Sequence, residues 1–392
     1  MKKKLLSVLL VATMMATMFV GCGSSSSDSA TSTDEGAATE SAAGDYKIAM
    51  ITDSGDITDM SFNQTTYEAM VKFSEENGVD YKYYKPTADS DDARIAAFEN
   101  AVTEGYNVII VPGYLFAAMI AEVAEDYPNV TIIALDCSEG DFQGAGLDTL
   151  PENVCSFTYQ EELAGYMAGY AAVKEGYKKL GFLGGMAVPA VIRYGFGFVQ
   201  GCNDASVELG NTSDVQVNYV YGGQFFGDDA VTAQMDTWYS NGTEIVFACG
   251  GGIYTSACEA ATKDGIDGKV IGVDVDQSGT IADAYGDKGK DLCVTSAMKG
   301  LAATVESTLT DVLAGNWANY AGKIENLGIV SGTDPSLNYV QLPMDSWKME
   351  NFTVDDYKAL VASLNDGTIK VSNETDAMPK TEITVKEFAN IH

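Results

Sequence analysis

From position 46 onward the chain alternates short β-rich runs with longer stretches whose apolar residues recur at helical spacing, and this rhythm constrains the fold more than any other feature. Strands are expected at YKIAMIT (46–52), VDYKYY (79–84), NVIIVP (107–112), NVTIIALD (129–136), KKLGFLG (178–184), DVQVNYVY (214–221), EIVFAC (244–249), KVIGVDV (269–275) and DLCVTSA (291–297). Most are separated by 10 to 20 residues of helical periodicity, such as 93–104 and 163–175. Short strands that each feed a helix give a parallel sheet covered on both faces. There are two such series, with a break near 148–157, where NVCSFTY (153–159) crosses from one to the other. The fold class is therefore α/β, with two doubly wound parallel-sheet lobes.

Doubly wound sheets bind ligands at the carboxyl ends of their strands. The residues that follow the expected strands are glycines, acids and amides: TDSGD (52–56), PGY (112–114), LDCSEG (135–140), GGM (184–186), YGGQFFGD (221–228), CGGGIYT (249–255), DVDQSG (274–279) and TSAMKG (295–300). Glycine there lets a backbone approach a ligand, and the polar side chains supply hydrogen bonds. At the first strand end, MITDSGDITDMSFNQTTYEAM (50–70) sets Asp53, Asp56, Asp59 and Asn63 around Phe62. Ser61 and Gln64 have the spacing of a capping box, and Asp56 or Asp59 suits a helix N-terminus. Those roles leave Phe62 and Asn63 unexplained, in a first helical turn facing the expected cleft.

Ahead of the globular part, residues 1–22 read MKKKLLSVLLVATMMATMFVGC. Three lysines, an apolar run too short for a span and small residues at its end make 1–21 a signal peptide. FVGC resembles the lipobox of bacterial lipoproteins, with Phe19 where Leu is usual, and implies acylation of Cys22. Residues 22–45 contain no large apolar side chain and are expected to form a flexible tether, leaving 46–392 as the binding domain. The reading is a protein held by lipid at the outer face of a cell membrane, the alternative being an ordinary signal cleaved elsewhere.

Composition narrows the chemistry. A net charge of −33 disfavours a nucleic-acid partner. One histidine, His392, excludes Ser-His-Asp and Cys-His catalysis and a His/Cys metal site, and no cofactor or metal is expected. Beyond Cys22, Cys137, Cys155, Cys202, Cys249, Cys258 and Cys293 show no CxxC spacing; buried free thiols are expected, with a disulfide as the alternative. DVDQS (274–278) has the outline of a phosphatase nucleophile loop with Ser in place of Thr, and GFGFVQG (195–201) misses a dinucleotide fingerprint by one residue and reads as helix packing.

ITDSGDITDMSFNQTTYEAM is similar to the signature of the basic membrane protein family of substrate-binding lipoproteins, which includes bacterial purine nucleoside receptors. GMAVPAVIRYGFGFVQGC (185–202), ACGGGIYTSACEAA (248–261), VIGVDVDQSG (270–279) and VTSAMKG (294–300) extend the likeness in order. Ser54-Gly55-Asp56 stands where the family has Gly-Gly, and Tyr67 where it has Trp. The resemblance implies a type I periplasmic-binding-protein fold, not an enzyme, with lobes joined by crossing strands: lobe 1 at about 46–156 plus 278–320, lobe 2 at about 157–277 plus 321–392. It implies a monomer that captures a nucleoside and delivers it to the permease and ATPase subunits of an ABC transporter. Phe62 would be the first stacking aromatic and Asn63 its polar neighbour, with Asp53 and Asp136 at the ends of the first and fourth strands. Tyr194 or Phe196 would close the sandwich, core packing being the alternative for both; Gly251, Asp274 and Lys299 would hold the sugar. A sugar receptor of the same fold, a secreted hydrolase, and a regulatory or adhesion protein that kept the fold are the competing functions.

Overall fold

A computed structural model describes residues 46–392, all within one compact unit; the expected signal peptide, lipidated Cys22 and tether lie outside the described residues. In the first lobe β1 (Lys47–Ile51), α1 (Phe62–Asn77), β2 (Asp80–Tyr84), α2 (Asp91–Thr103), β3 (Val108–Pro112), α3 (Phe116–Val123), β4 (Thr131–Leu135), α4 (Glu139–Gly144) and β5 (Val154–Tyr159) alternate as the sequence predicts. Then α5 (Glu161–Glu175) opens the second lobe, followed by β6 (Lys179–Gly184), α6 (Pro189–Leu209), β7 (Gln216–Tyr221), α7 (Asp229–Ser240), β8 (Ile245–Cys249), α8 (Tyr254–Ala261), β9 (Lys269–Asp274), α9 (Ser278–Tyr285) and β10 (Cys293–Lys299). The chain continues through α10 (Leu301–Leu313), β11 (Ile324–Leu327), β12 (Val340–Gln341), α11 (Val354–Asn365) and β13 (Thr384–Glu387).

Two sheets result, in the orders β11-β5-β4-β3-β1-β2 and β12-β10-β9-β8-β6-β7-β13. The described pairings are parallel except β10 with β12. Central strands such as β3 (VIIVP) and β8 (IVFAC) are buried along their whole length, as a sheet covered on both faces requires.

The pairings correct the expected lobe segments. β10 continues the second sheet beside β9, so 278–299 belongs to lobe 2 and not lobe 1, whereas β11 pairs with β5 and puts 324–327 in lobe 1. The chain crosses between lobes after Tyr159, after Lys299 and between β11 and β12. These crossings are bonded to one another: Gln160 N–H donates to Leu327 O (2.9 Å), Gly300 N–H to Tyr339 O (2.7 Å) and Tyr339 N–H to Gly328 O (3.0 Å).

The glycines of GFGFVQG do serve helix packing. A Cβ at Gly197 would lie 2.0 Å from Glu162 O and one at Gly201 2.1 Å from Tyr166 O, so α5 and α6 meet backbone to backbone. That close approach sets Glu161, at the start of α5, against Arg193, near the start of α6. Cys137, Cys155, Cys202, Cys249, Cys258 and Cys293 are all buried and free.

Candidate functional site

Between the lobes lies a cleft with about 690 Å³ of atom-free space, open solvent included. Its walls carry Asp53, Phe62, Asn63, Asp136, Tyr194, Gly251, Asp274 and Lys299, all proposed from the sequence. They come from strand ends of both sheets, from the first turn of α1 and from the second turn of α6.

At one end Lys299, last residue of β10, enters a group of carboxylates. Its Nζ donates to Asp136 Oδ2 (2.6 Å) and lies 3.5 Å from Glu161 Oε1 and 3.8 Å from Asp274 Oδ1. Burial alone would lower the Lys299 ammonium, but Asp136, Asp274 and Glu161 outweigh it and hold the group above the usual lysine range. Burial raises the carboxyls of Asp136 and Asp274, with Lys299 opposing in each case. Glu161 Oε2 also accepts from Arg193 Nε (2.7 Å). Two cations thus face three carboxylates, and Asp136 Oδ1 and Glu161 Oε1 are buried without a hydrogen-bond partner. Such a cluster is suited to accept hydroxyl protons from a ligand. Asp136 and Asp274 both adopt left-handed backbone, φ 61° and 64°, at a cost of roughly 1–2 kcal/mol each; that cost marks strand ends shaped for a site.

At the other end Asp53 Oδ1 accepts from Gly55 N–H (2.7 Å) and Asn63 Nδ2 (3.0 Å), and Asn63 Nδ2 also donates to Asp59 Oδ2 (3.1 Å). Both amide protons of Asn63 are committed to carboxylates, which fixes the orientation of its amide and leaves Oδ1 buried with no partner. Burial pushes the Asp53 carboxyl up to about 6, the Gly55 and Asn63 bonds opposing. Room for these side chains comes from missing Cβ atoms: one at Gly55 would sit 2.4 Å from Asn63 Nδ2, and one at Gly113 2.9 Å from Asp53 Oδ2.

The capping-box reading of Ser61 does not hold. Asp59 caps α1 instead, accepting from Asn63 N–H (2.9 Å) and Gln64 N–H (3.1 Å), while Ser61 Oγ donates to Asp274 Oδ2 in the other lobe. Gln64 does reach back, but to Met60 N–H (3.0 Å).

Phe196 is also corrected. Residues two apart on a helix point about 200° from each other, so Tyr194 and Phe196 cannot share the cleft face of α6. Tyr194 lines the cleft; Phe196 turns into the core against Tyr219, ring centroids 6.2 Å apart. The lobe-2 aromatic that sequence reasoning missed is Phe225, on the loop after β7. A Cβ at Gly185 would lie 2.4 Å, and at Gly250 2.8 Å, from Phe225 Cδ1, and Gly252 N–H donates to Phe225 O (2.8 Å). The signal was present as an aromatic pair between glycines, YGGQFFGD, at a strand end. Lys299 Nζ stands 4.7 Å from the Phe62 ring centroid, so the ammonium faces an aromatic wall as well as the carboxylates.

A family model described as "ABC transporter substrate-binding protein PnrA-like" matches residues 46–333. The chain is similar to the "ABC transporter nucleoside-binding protein BmpA" of Lactococcus lactis, 27% identical over 71% of this chain and 75% of that protein. It is also 27% identical to the "CD4+ T-cell-stimulating antigen" of Listeria innocua over 81% of this chain and 86% of the relative. Among solved structures, a solute-binding protein of an ABC transporter system from Aeropyrum pernix superposes with TM-score 0.64 at 20% identity, covering 83% of this chain and 87% of that one. Another from Conexibacter woesei gives 0.63 at 22%, covering 84% and 99%; these likenesses show the two-lobed binding-protein fold. The chain belongs to the family of PnrA-like ABC transporter substrate-binding proteins.

Proposed function

We propose that the chain captures a purine nucleoside in the interlobe cleft, without converting it, and delivers it to the permease of an ABC importer driven by its ATPase. The observation that carries this reading is the division of one cleft into two chemistries. Phe62 and Phe225 offer aromatic faces from opposite lobes, and Lys299 with Asp136 and Asp274 offers a buried acceptor cluster. A base between aromatic faces gains roughly 1–3 kcal/mol by stacking, and a vicinal diol donates two hydrogen bonds to a carboxylate. The nucleoside-binding relative supports the same reading. The base edge would be read by Asn63 Oδ1 and Asp53, both acceptors when Asp53 is ionised, which matches the N1–H of a 6-oxopurine.

The protein would act as a monomer at the extracytoplasmic face of the membrane, anchored through acylated Cys22; the sequence MKKK…FVGC supports the anchor. No helix among the described residues is long and apolar enough to cross a membrane. Calorimetric titration of folded, ligand-free protein with adenosine, guanosine, inosine and uridine, with glucose and ribose beside them, tests the reading. A purine nucleoside is expected to bind below about 1 μM; failure of all four nucleosides to bind below about 100 μM, or tighter binding of a free sugar, contradicts it.

A further inference from the structure

The loop that presents Phe225 is backed by a part of the chain outside the family-matched residues 46–333. β13 runs parallel to β7 in register from Thr384↔Gln216 to Glu387↔Tyr219. Past β13 the chain keeps following β7 toward its carboxyl end: Phe388 N–H donates to Tyr219 O (2.9 Å) and Ile391 N–H to Tyr221 O (3.0 Å). Phe388 packs on Trp238, ring centroids 5.4 Å apart. His392 then reaches the far end of the Phe225 loop, its Nε2 2.9 Å from Asp228 Oδ2. Asp228 in turn caps α7 through Val231 N–H (2.9 Å) and accepts from Gln224 Nε2 (3.0 Å), and a Cβ at Gly223 would lie 2.8 Å from His392 O. The loop 222–228 is thus held between Gly185 and Gly250, just past β6 and β8, on the cleft side and the segment 388–392 on the other.

We infer that residues 388–392 form a strap that positions Phe225, and that His392, through Asp228, is a positioning residue for ligand capture. The inference rests on Phe225 lining the ligand cleft, and its binding arm uses the nucleoside reading above. The strap holds the far end of the loop through His392 and Asp228, so its loss frees the ring to leave the stacking position without unfolding the sheet, whose edge is already built by β7 and β13.

The test compares the full chain with a variant ending at Glu387, with His392→Ala and with His392→Gln, whose amide can still donate to Asp228. In ligand-free protein, amide hydrogen exchange over 222–228 is expected to rise about tenfold or more in the shortened chain, while α5 and α6 keep their protection. Guanosine affinity should fall about tenfold in the shortened chain and severalfold in His392→Ala, with recovery in His392→Gln. The loss should vanish when Phe225 is already Ala, since a strap acting through the ring has nothing left to position. Unchanged exchange over 222–228 overturns the proposal, and so does an equal affinity loss in the Phe225→Ala background. If the full chain binds no nucleoside the functional reading fails, while the exchange measurement still decides the strap.

Discussion

Ser61 Oγ donates to Asp274 Oδ2 at 2.5 Å, joining the first turn of lobe 1 to a strand end of lobe 2. A second bond, Gln277 Nε2 to Met60 O at 3.1 Å, crosses beside it. A carboxylate that faces Lys299 is therefore also an acceptor that ties the lobes together, so on the proposed reading ligand binding and lobe contact share one group. Ser61→Ala removes a hydrogen bond to a charged acceptor, worth roughly 1.5–3 kcal/mol. The expected result is a larger radius of gyration by X-ray scattering in the ligand-free protein and nucleoside affinity lowered about three- to tenfold; unchanged scattering and affinity would show the bond to be incidental.

Asp274→Ala should separate sugar from base. It deletes the acceptors proposed for the ribose hydroxyls and leaves Lys299 less well balanced in a buried cluster. Each charge-assisted bond contributes about 1.5–3 kcal/mol, so nucleoside affinity should fall by tenfold to a hundredfold or more. The free base, which does not reach this carboxylate, should lose only the severalfold attributable to the Ser61 contact. Equal losses for nucleoside and base, measured side by side by calorimetry, would remove Asp274 from the ribose site.

Phe225 and Phe196 should behave oppositely. Phe225→Ala strips an aromatic wall from the cleft and should weaken nucleoside binding by roughly 1–3 kcal/mol with little change in melting temperature. Phe196→Ala opens a cavity against Tyr219 and should cost about 3–5 kcal/mol of stability while affinity is kept in the folded protein. Thermal denaturation paired with titration reads both; an affinity loss confined to Phe196→Ala would reverse the assignment.

Base preference should depend on pH through Asp53, whose carboxyl is pushed up to about 6 by burial. A 6-oxopurine donates its N1–H to the ionised carboxylate, so its binding is complete above about pH 6 and weakens by about tenfold per unit below it. Adenosine offers an acceptor at N1 and can take a proton from neutral Asp53, so its affinity should hold or rise over the same interval. Asp136, also raised by burial, would face the sugar in both and drop out of the ratio. The ratio of guanosine to adenosine dissociation constants at about pH 7.5 and about pH 5 measures this; a ratio independent of pH would place Asp53 away from the base edge.

Much of the fold could be read in advance because each strand run is bounded by a turn and followed by helical periodicity; β1 to β10 lie where KIAMI, VIIVP and their counterparts suggest. β12 has only two residues, and β13 (TVKE) is an exposed edge strand without an apolar run, so neither carried a pattern to find. The lobe boundary was misplaced because periodicity reveals strands but not which sheet they join; that depends on hydrogen bonds such as those of β10 to β9. Side-chain partners were legible where chemistry leaves little choice, as for buried Asp274 and Lys299. They were not where two oxygens compete for one helix end, as Ser61 and Asp59 do, or where helical phase decides between Tyr194 and Phe196.

The most direct test of the central claim is a crystal structure of the protein with guanosine bound. The account predicts the base between Phe62 and Phe225 with its N1 edge toward Asn63 and Asp53, and the ribose hydroxyls about 3 Å from the carboxylates around Lys299. A nucleoside seated outside this cleft, or one lying in it with the sugar toward Asp53 and the base against Lys299, would contradict it.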